Sequence, residues 1–167
     1  VMAAFAAAVK IDSFAYMPVQ DFGNGFSTFV AQNYGAGNKE RIRKGTHNAG
    51  LCTLVFCLFI TIGVCLFARP LLLIFVNPTE TEVLAVGVEY LRIEGTFYCL
   101  IGFLFLFYGY FRAMKRPGMS VILTVISLGT RVILAYVLSA VPWIGVRGIW
   151  AAVPIGWLLA DVVGYLF

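Results

Sequence analysis

Charge is scarce in this sequence. Asp, Glu, Lys and Arg together make up 12% of its 167 residues, about half the share of an ordinary water-soluble domain. Histidine is nearly absent: His47 is the only one, so no imidazole cluster can build a metal or catalytic centre. The four cysteines, Cys52, Cys57, Cys65 and Cys99, lie inside apolar runs and form no C-x-x-C pair. They read as packing thiols, not as a disulfide framework or metal ligands. A membrane-embedded enzyme would need clustered His, Cys or paired acids at one depth, so the expectation is a protein that is not an enzyme. There is no Ser- or Pro-rich linker, and no basic segment precedes the first apolar run as in a signal peptide. What is plentiful is apolar surface. Hydrophobic residues make up 61% of the chain, and the mean hydropathy is +0.92. That composition calls for a lipid bilayer as solvent, where about 20 apolar residues make one crossing. The formal net charge of +4 then reflects basic loops on the cytoplasmic side and not nucleic-acid binding.

Apolar periodicity and punctuation predict five membrane spans, roughly 2–34, 49–67, 83–112, 119–140 and 144–167. Pro18 should kink the first near residues 14–18. Lys39, Arg41, Arg43 and Lys44 follow the first span; Arg112, Lys115 and Arg116 follow the third. Both basic loops belong on the cytoplasmic side, which puts the N-terminus outside and Phe167 near the cytoplasm. Arg69-Pro70 should interrupt the second helix. Thr79 or Thr81 should cap the next, with Glu80 and Glu82 in its first turn. Pro117-Gly118 should turn the chain, as should Pro142, Trp143 and Gly145. Trp143, Trp150 and Trp157 suit interfacial or packing positions, and the aromatic block of residues 97–111 suits packing or the stacking of planar cations. The chain starts at Val1 within an apolar stretch and reads as an internal or truncated piece of a longer protein.

An ionised group within a span is costly unless paired or hydrated, so each one needs a reason. Glu94 and Arg131 fall at similar depth and are expected to form a buried ion pair. That pair either locks the third and fourth spans together or releases Glu94 to exchange a proton or cation. Asp21, flanked by Gln20 and Asn24, either binds a proton, a cation or a cationic solute in a wet cavity, or serves the carbonyls freed by Pro18. Asp12 lies about two and a half turns before it. Gln32 and Asn33 either cap helix carbonyls or line a gate. Asp161 suits a contact with an amide or backbone group.

The stretch A-Q-N-Y-G-A-G-N-K-E-R at residues 31–41 closely resembles a segment of the multidrug and toxic compound extrusion (MATE) transporters. A-A-F-A-A-A, Y-L-R-I-E-G, F-R-A-M-K-R-P-G and G-I-W-A-A-V-P-I-G-W resemble other parts of that family's C-terminal lobe, in the same order. The resemblance implies an all-α membrane protein in which residues 1–167 form one partial C-terminal lobe. Its five helices would belong to a two-lobe, twelve-helix transporter whose N-terminal lobe lies elsewhere in the same chain. It implies a multi-pass protein of the prokaryotic plasma membrane. That protein would be an antiporter exporting cationic or amphipathic compounds in exchange for H⁺ or Na⁺, with no other cofactor. Some members tie sodium to an acidic residue about three turns before the F-R motif, where this sequence has Ile101. A lipid-linked oligosaccharide flippase of the same superfamily, or a non-transporting assembly subunit, are the alternative readings.

Overall fold

The computed structural model describes residues 2–141, 143 and 145–167. Six helices account for nearly all of them: α1 (Met2–Gly35), α2 (Lys39–Leu73), α3 (Thr81–Thr96), α4 (Tyr98–Ala113), α5 (Pro117–Ser139) and α6 (Val146–Leu166). Among the described residues, α2, α5 and α6 are each long and apolar enough to cross a membrane, and α3 with α4 makes a fourth crossing bent by 51°. α1 has the length, and its charged side chains set it apart. The third expected span is therefore two helices, so that six helices stand where five spans were expected, up to four crossings among the described residues meeting the length and apolarity a membrane requires. Pro142 and Ile144, expected to close the last loop and open the last span, lie outside the described residues.

The first chain reversal has a clear local cause. α1 ends in a pair of backbone bonds, Asn38 N–H to the Asn33 carbonyl at 2.9 Å and Gly37 N–H to the Tyr34 carbonyl at 3.1 Å. These satisfy carbonyls that the helix end would leave orphaned, in the manner of a Schellman turn. The turn needs a left-handed residue, and Gly37 supplies it at φ +70°. The Asn38 side chain then accepts from Arg41 N–H and caps α2. The second basic turn repeats this pattern without a glycine: Arg116 N–H bonds to the Phe111 carbonyl, and Lys115 takes the left-handed position at φ +58°. An L side chain there costs about 1–2 kcal/mol. The reversal thus sits at Lys115 and not at Pro117-Gly118. Pro117 is instead the first helical residue of α5, where its missing N–H costs nothing.

The internal prolines behave unequally. α1 runs through Pro18 as one helix, so the expected kink leaves no break. Pro70 interrupts α2 as expected, with a kink at Phe67 after which the helix resumes to Leu73. The missing N–H of Pro70 and its ring, which crowds the carbonyl four residues back, are met by a distortion at Phe67 (φ −99°, ψ 15°). At α3 the cap position belongs to Glu80. Thr81 is already helical, and Thr79 instead bonds the Asn77 side chain.

Where α3 gives way to α4, Phe97 leaves helical geometry (φ −108°, ψ 14°). The Gly95 carbonyl, freed by the break, accepts a hydrogen bond from the Thr61 hydroxyl of α2 at 2.8 Å. Backbone at membrane depth must be satisfied by protein, and Thr61 does that here. Thr61→Val should destabilise the protein by about 1–2 kcal/mol, the cost of a buried acceptor left unpaired. A thermal melt of the purified variant, against Thr61→Ser as a hydroxyl-retaining control, checks this. Equal melting of Thr61→Val and wild type would refute it.

α1 packs on α2, α3 and α4; α4 also meets α2, α5 and α6; α5 packs on α4 and α6 and not on α3. One apolar cluster, including Leu72, Leu91, Leu104, Leu123 and Trp157, fills most of the bundle. A smaller one (Phe26, Val30, Ile42, Ala49, Leu106, Ala113) fills the basic end. At the opposite end Arg147 pairs with Glu89 at 2.6 Å, tying the start of α6 to α3. Large apolar side chains cover the outside: Val55, Phe59, Ile62 and Leu66 on α2, and Val121, Val125, Ile133 and Tyr136 on α5. Patches of that size do not face water in a soluble protein.

Candidate functional site

The helix break brings buried acids together. Glu94, three residues before Phe97, is 1% exposed, and neither carboxylate oxygen has a hydrogen-bond partner among the described residues. Asp12 on α1 is also buried, and it accepts a hydrogen bond from the Tyr98 hydroxyl just past the break. Asp12, Glu94 and Tyr90 lie within electrostatic reach of one another, and Arg131 lies within reach of Glu94 and Tyr90. Tyr90 is fixed by edge-on contacts with Phe5 (5.4 Å between ring centres) and Trp150 (5.6 Å). The chemistry of such a place is narrow. Two buried carboxylates with two phenols beside them can take up a proton or a small cation, and a discontinuous helix is where membrane transporters place such sites.

The expected Glu94–Arg131 ion pair does not form. Depth along each helix matched, but α3 and α5 are not neighbours. Arg131 instead lies over the Trp157 ring at 5.2 Å. α6 comes close enough for this because Gly156 faces the Ser127 carbonyl, which a Cβ would approach to 2.6 Å. The Arg131 Nε has no partner among the described residues.

Asp21 is exposed, as are Gln20 and Asn24. The reason is angular. Asp12 and Asp21 are nine residues apart, roughly 900° at about 100° per residue, so they project from opposite sides of α1. Asp12 falls on the row Asp12, Val19, Phe26, Asn33, spaced by seven and buried throughout. Asp21 falls on the row Lys10, Phe14, Met17, Asp21, Asn24, Thr28, exposed throughout. Asn24 accepts from an Arg112 Nη at 3.2 Å, so the exposed row meets the basic end of α4. Asp12 is the functional candidate that the sequence reading passed over, and the seven-residue row was the signal that could have found it.

Asn33 is buried and donates to the Phe29 carbonyl at 2.7 Å; Gln32 is exposed, and its backbone carbonyl accepts from Ala36. Asp161 is half-buried on α6, with both oxygens unpartnered among the described residues. Ile101 is packed in the core. Trp150 and Trp157 are buried, and Trp143 is exposed. Among the described residues, no three His, Cys, Asp or Glu side chains are placed to hold a metal ion.

Comparison with known proteins agrees with this architecture. The chain superposes on an outward-facing multidrug resistance MATE transporter of the MOP superfamily with a TM-score of 0.91. It covers 98% of this chain and 37% of that one at 24% identity. A MOP superfamily transporter from Pyrococcus furiosus gives a TM-score of 0.90 at 24% identity, with the same coverage. In sequence, the chain is 28% identical over its whole length to the "probable multidrug resistance protein YpnP" of Bacillus subtilis, covering 37% of it. It is 31% identical over 98% of its length to an FAD transporter of Shewanella oneidensis, covering 36% of that protein. The chain thus spans little more than a third of the relatives it matches. The MatE family model matches residues 1–137, and on that match the chain belongs to the MatE family of membrane transporters.

Proposed function

We propose that the whole protein is an antiporter of the prokaryotic plasma membrane. It exports cationic or amphipathic compounds in exchange for H⁺ or Na⁺, and this chain contributes part of its C-terminal lobe. The observation that carries the reading is the burial of Asp12 and Glu94 together at the α3–α4 break. Nothing in the packing of the bundle requires two carboxylates there, and an ion that comes and goes does. The exposed row of α1 supports it from the other side. A membrane-embedded helix does not turn Lys10, Asp21, Asn24 and Thr28 toward lipid, so this face borders water or the remaining lobe. The name of the Bacillus subtilis relative as a multidrug resistance protein supports this solute class.

The relative named as an FAD transporter favours a second reading, an anionic dinucleotide as solute. Arg112, at the end of the exposed row, is the cation placed to meet it.

The test is dye accumulation in an efflux-deficient bacterial strain expressing the whole protein. Asp12→Asn and Glu94→Gln should each lower ethidium extrusion about tenfold, equivalent to about 1.4 kcal/mol, at unchanged expression. Asp21→Asn, outside the buried pair, should have a smaller effect. Full extrusion by both buried-acid variants would refute the coupling role. Export of FAD with no ethidium extrusion would replace the first reading with the second.

A further inference from the structure

The basic end of the bundle carries two adjoining hollows, neither lined by Asp12 or Glu94. One, of about 540 Å³, is lined by Arg43, Lys44, His47 and Asn48 on the first turns of α2. The other, of about 530 Å³, has apolar and aromatic walls that include Leu51, Leu54, Phe103 and Tyr165. It exists because α2 and α6 both pack on α4 and not on each other. His47 lines both hollows, and Arg43, His47, Leu51 and Leu54 follow one another along one face of α2 at helical spacing. A cationic recess therefore passes into an oily one within about two turns.

We propose that this double recess binds one anionic phospholipid, its phosphate held by Arg43 and His47 and an acyl chain laid against α4. The charge balance favours an anion. Lys39, Arg41, Arg43 and Lys44 crowd the start of α2, against one acid, Glu40. Glu40 pairs with Lys44 at 2.7 Å, but both ends are about 70% exposed, and such a pair is worth at most about 1 kcal/mol. A phosphate displaces it readily. The position favours a lipid over a peptide or a free anion. α2 carries no ionisable residue other than cysteine from residue 49 to 68, so the boundary between headgroups and hydrocarbon falls where the two hollows join. Basic recesses between membrane helices at that level are where anionic headgroups bind.

Native mass spectrometry of the purified whole protein tests this, with mixed micelles containing equal phosphatidylglycerol and phosphatidylcholine. Wild type should retain phosphatidylglycerol about fivefold more often, as expected of the Arg43 cation at about 1 kcal/mol. The Arg43→Gln/His47→Gln double variant should lose the preference, and both side chains are exposed, so folding is not at risk. Leu54→Trp, which fills the oily hollow, should reduce retention of either lipid. Equal retention of the two lipids by wild type, or an undiminished preference in the double variant, would overturn the proposal. So would glycerol phosphate competing as well as the intact lipid, because the oily hollow would then play no part. None of these outcomes depends on which solute is exported.

Discussion

A valine at Gly109 will prevent the bundle from closing, and the variant will be recovered aggregated or not at all. The reason is a contact of backbone on backbone. A Cβ at Gly109 would sit 2.5 Å from the Gly23 carbonyl oxygen and 3.4 Å from the Ser27 Cβ. A Cβ at Gly23 would in turn meet the Phe105 carbonyl oxygen at 3.0 Å. α1 and α4 thus touch through two glycines, as membrane helices do when small residues let their backbones approach. A crowded side chain can turn away, but a carbonyl in a helix cannot. Overpacking ordinarily costs about 1–3 kcal/mol, and a clash with fixed backbone belongs at or above the upper end. Relief requires α1 and α4 to separate, and the same two helices hold Asp12 against Tyr98. The damage therefore reaches the candidate site. Gly63→Ala on α2 is the control: nothing lies within 4 Å of its added methyl, so it should be neutral or gain up to about 1 kcal/mol of helix propensity. Fluorescence-detected size-exclusion profiles and melts of both variants decide the matter. A monodisperse Gly109→Val protein melting with wild type would show that the crossing is looser than its geometry implies.

How far the sequence discloses this molecule depends on the range of each cause. The end of α1 is written locally: amides, a glycine able to take positive φ, then an asparagine cap and cations, and the chain turns there. The apolar lengths of α2, α5 and α6 are likewise readable from composition. The α3–α4 break is not, because it depends on Thr61, thirty-four residues away, to satisfy a carbonyl. No proline marks it. The Glu94–Arg131 pairing failed for a related reason. Depth along a helix follows from counting, but which helices are neighbours does not, and α5 stands away from α3. Asp12 is the contrary case. Its seven-residue row of buried partners was present in the sequence, and a half-turn of arithmetic separates it from Asp21. Asp21, with its polar neighbours Gln20 and Asn24, stands on the opposite, exposed side of the helix.

Replacing Glu94 by methionine should raise thermal stability while lowering transport, and that opposition distinguishes a working residue from a structural one. Glu94 is 1% exposed with both oxygens unpaired among the described residues. Were it a structural ion pair, removing it would strand a buried guanidinium and cost several kcal/mol. Arg131 lies within electrostatic reach of it but makes no direct contact with it, and its guanidinium rests on the Trp157 ring. Methionine is unbranched, close in length to glutamate and tolerant of irregular space. Replacing a buried ion pair by apolar groups is often neutral or stabilising by about 1–4 kcal/mol, and a buried carboxylate with no direct partner has no contact to lose against its desolvation cost. A purified Glu94→Met protein should therefore melt at or above wild type. The same protein should extrude ethidium no better than Glu94→Gln, because neither side chain can exchange an ion. Stability given up at one position to keep an activity is what a functional site entails. If Glu94→Met melted well below wild type, the carboxylate would be holding the break together, and its part in transport would have to be argued afresh from Asp12 alone. If it melted higher and still transported fully, Glu94 would have no part in coupling, and the α3–α4 break would need another explanation.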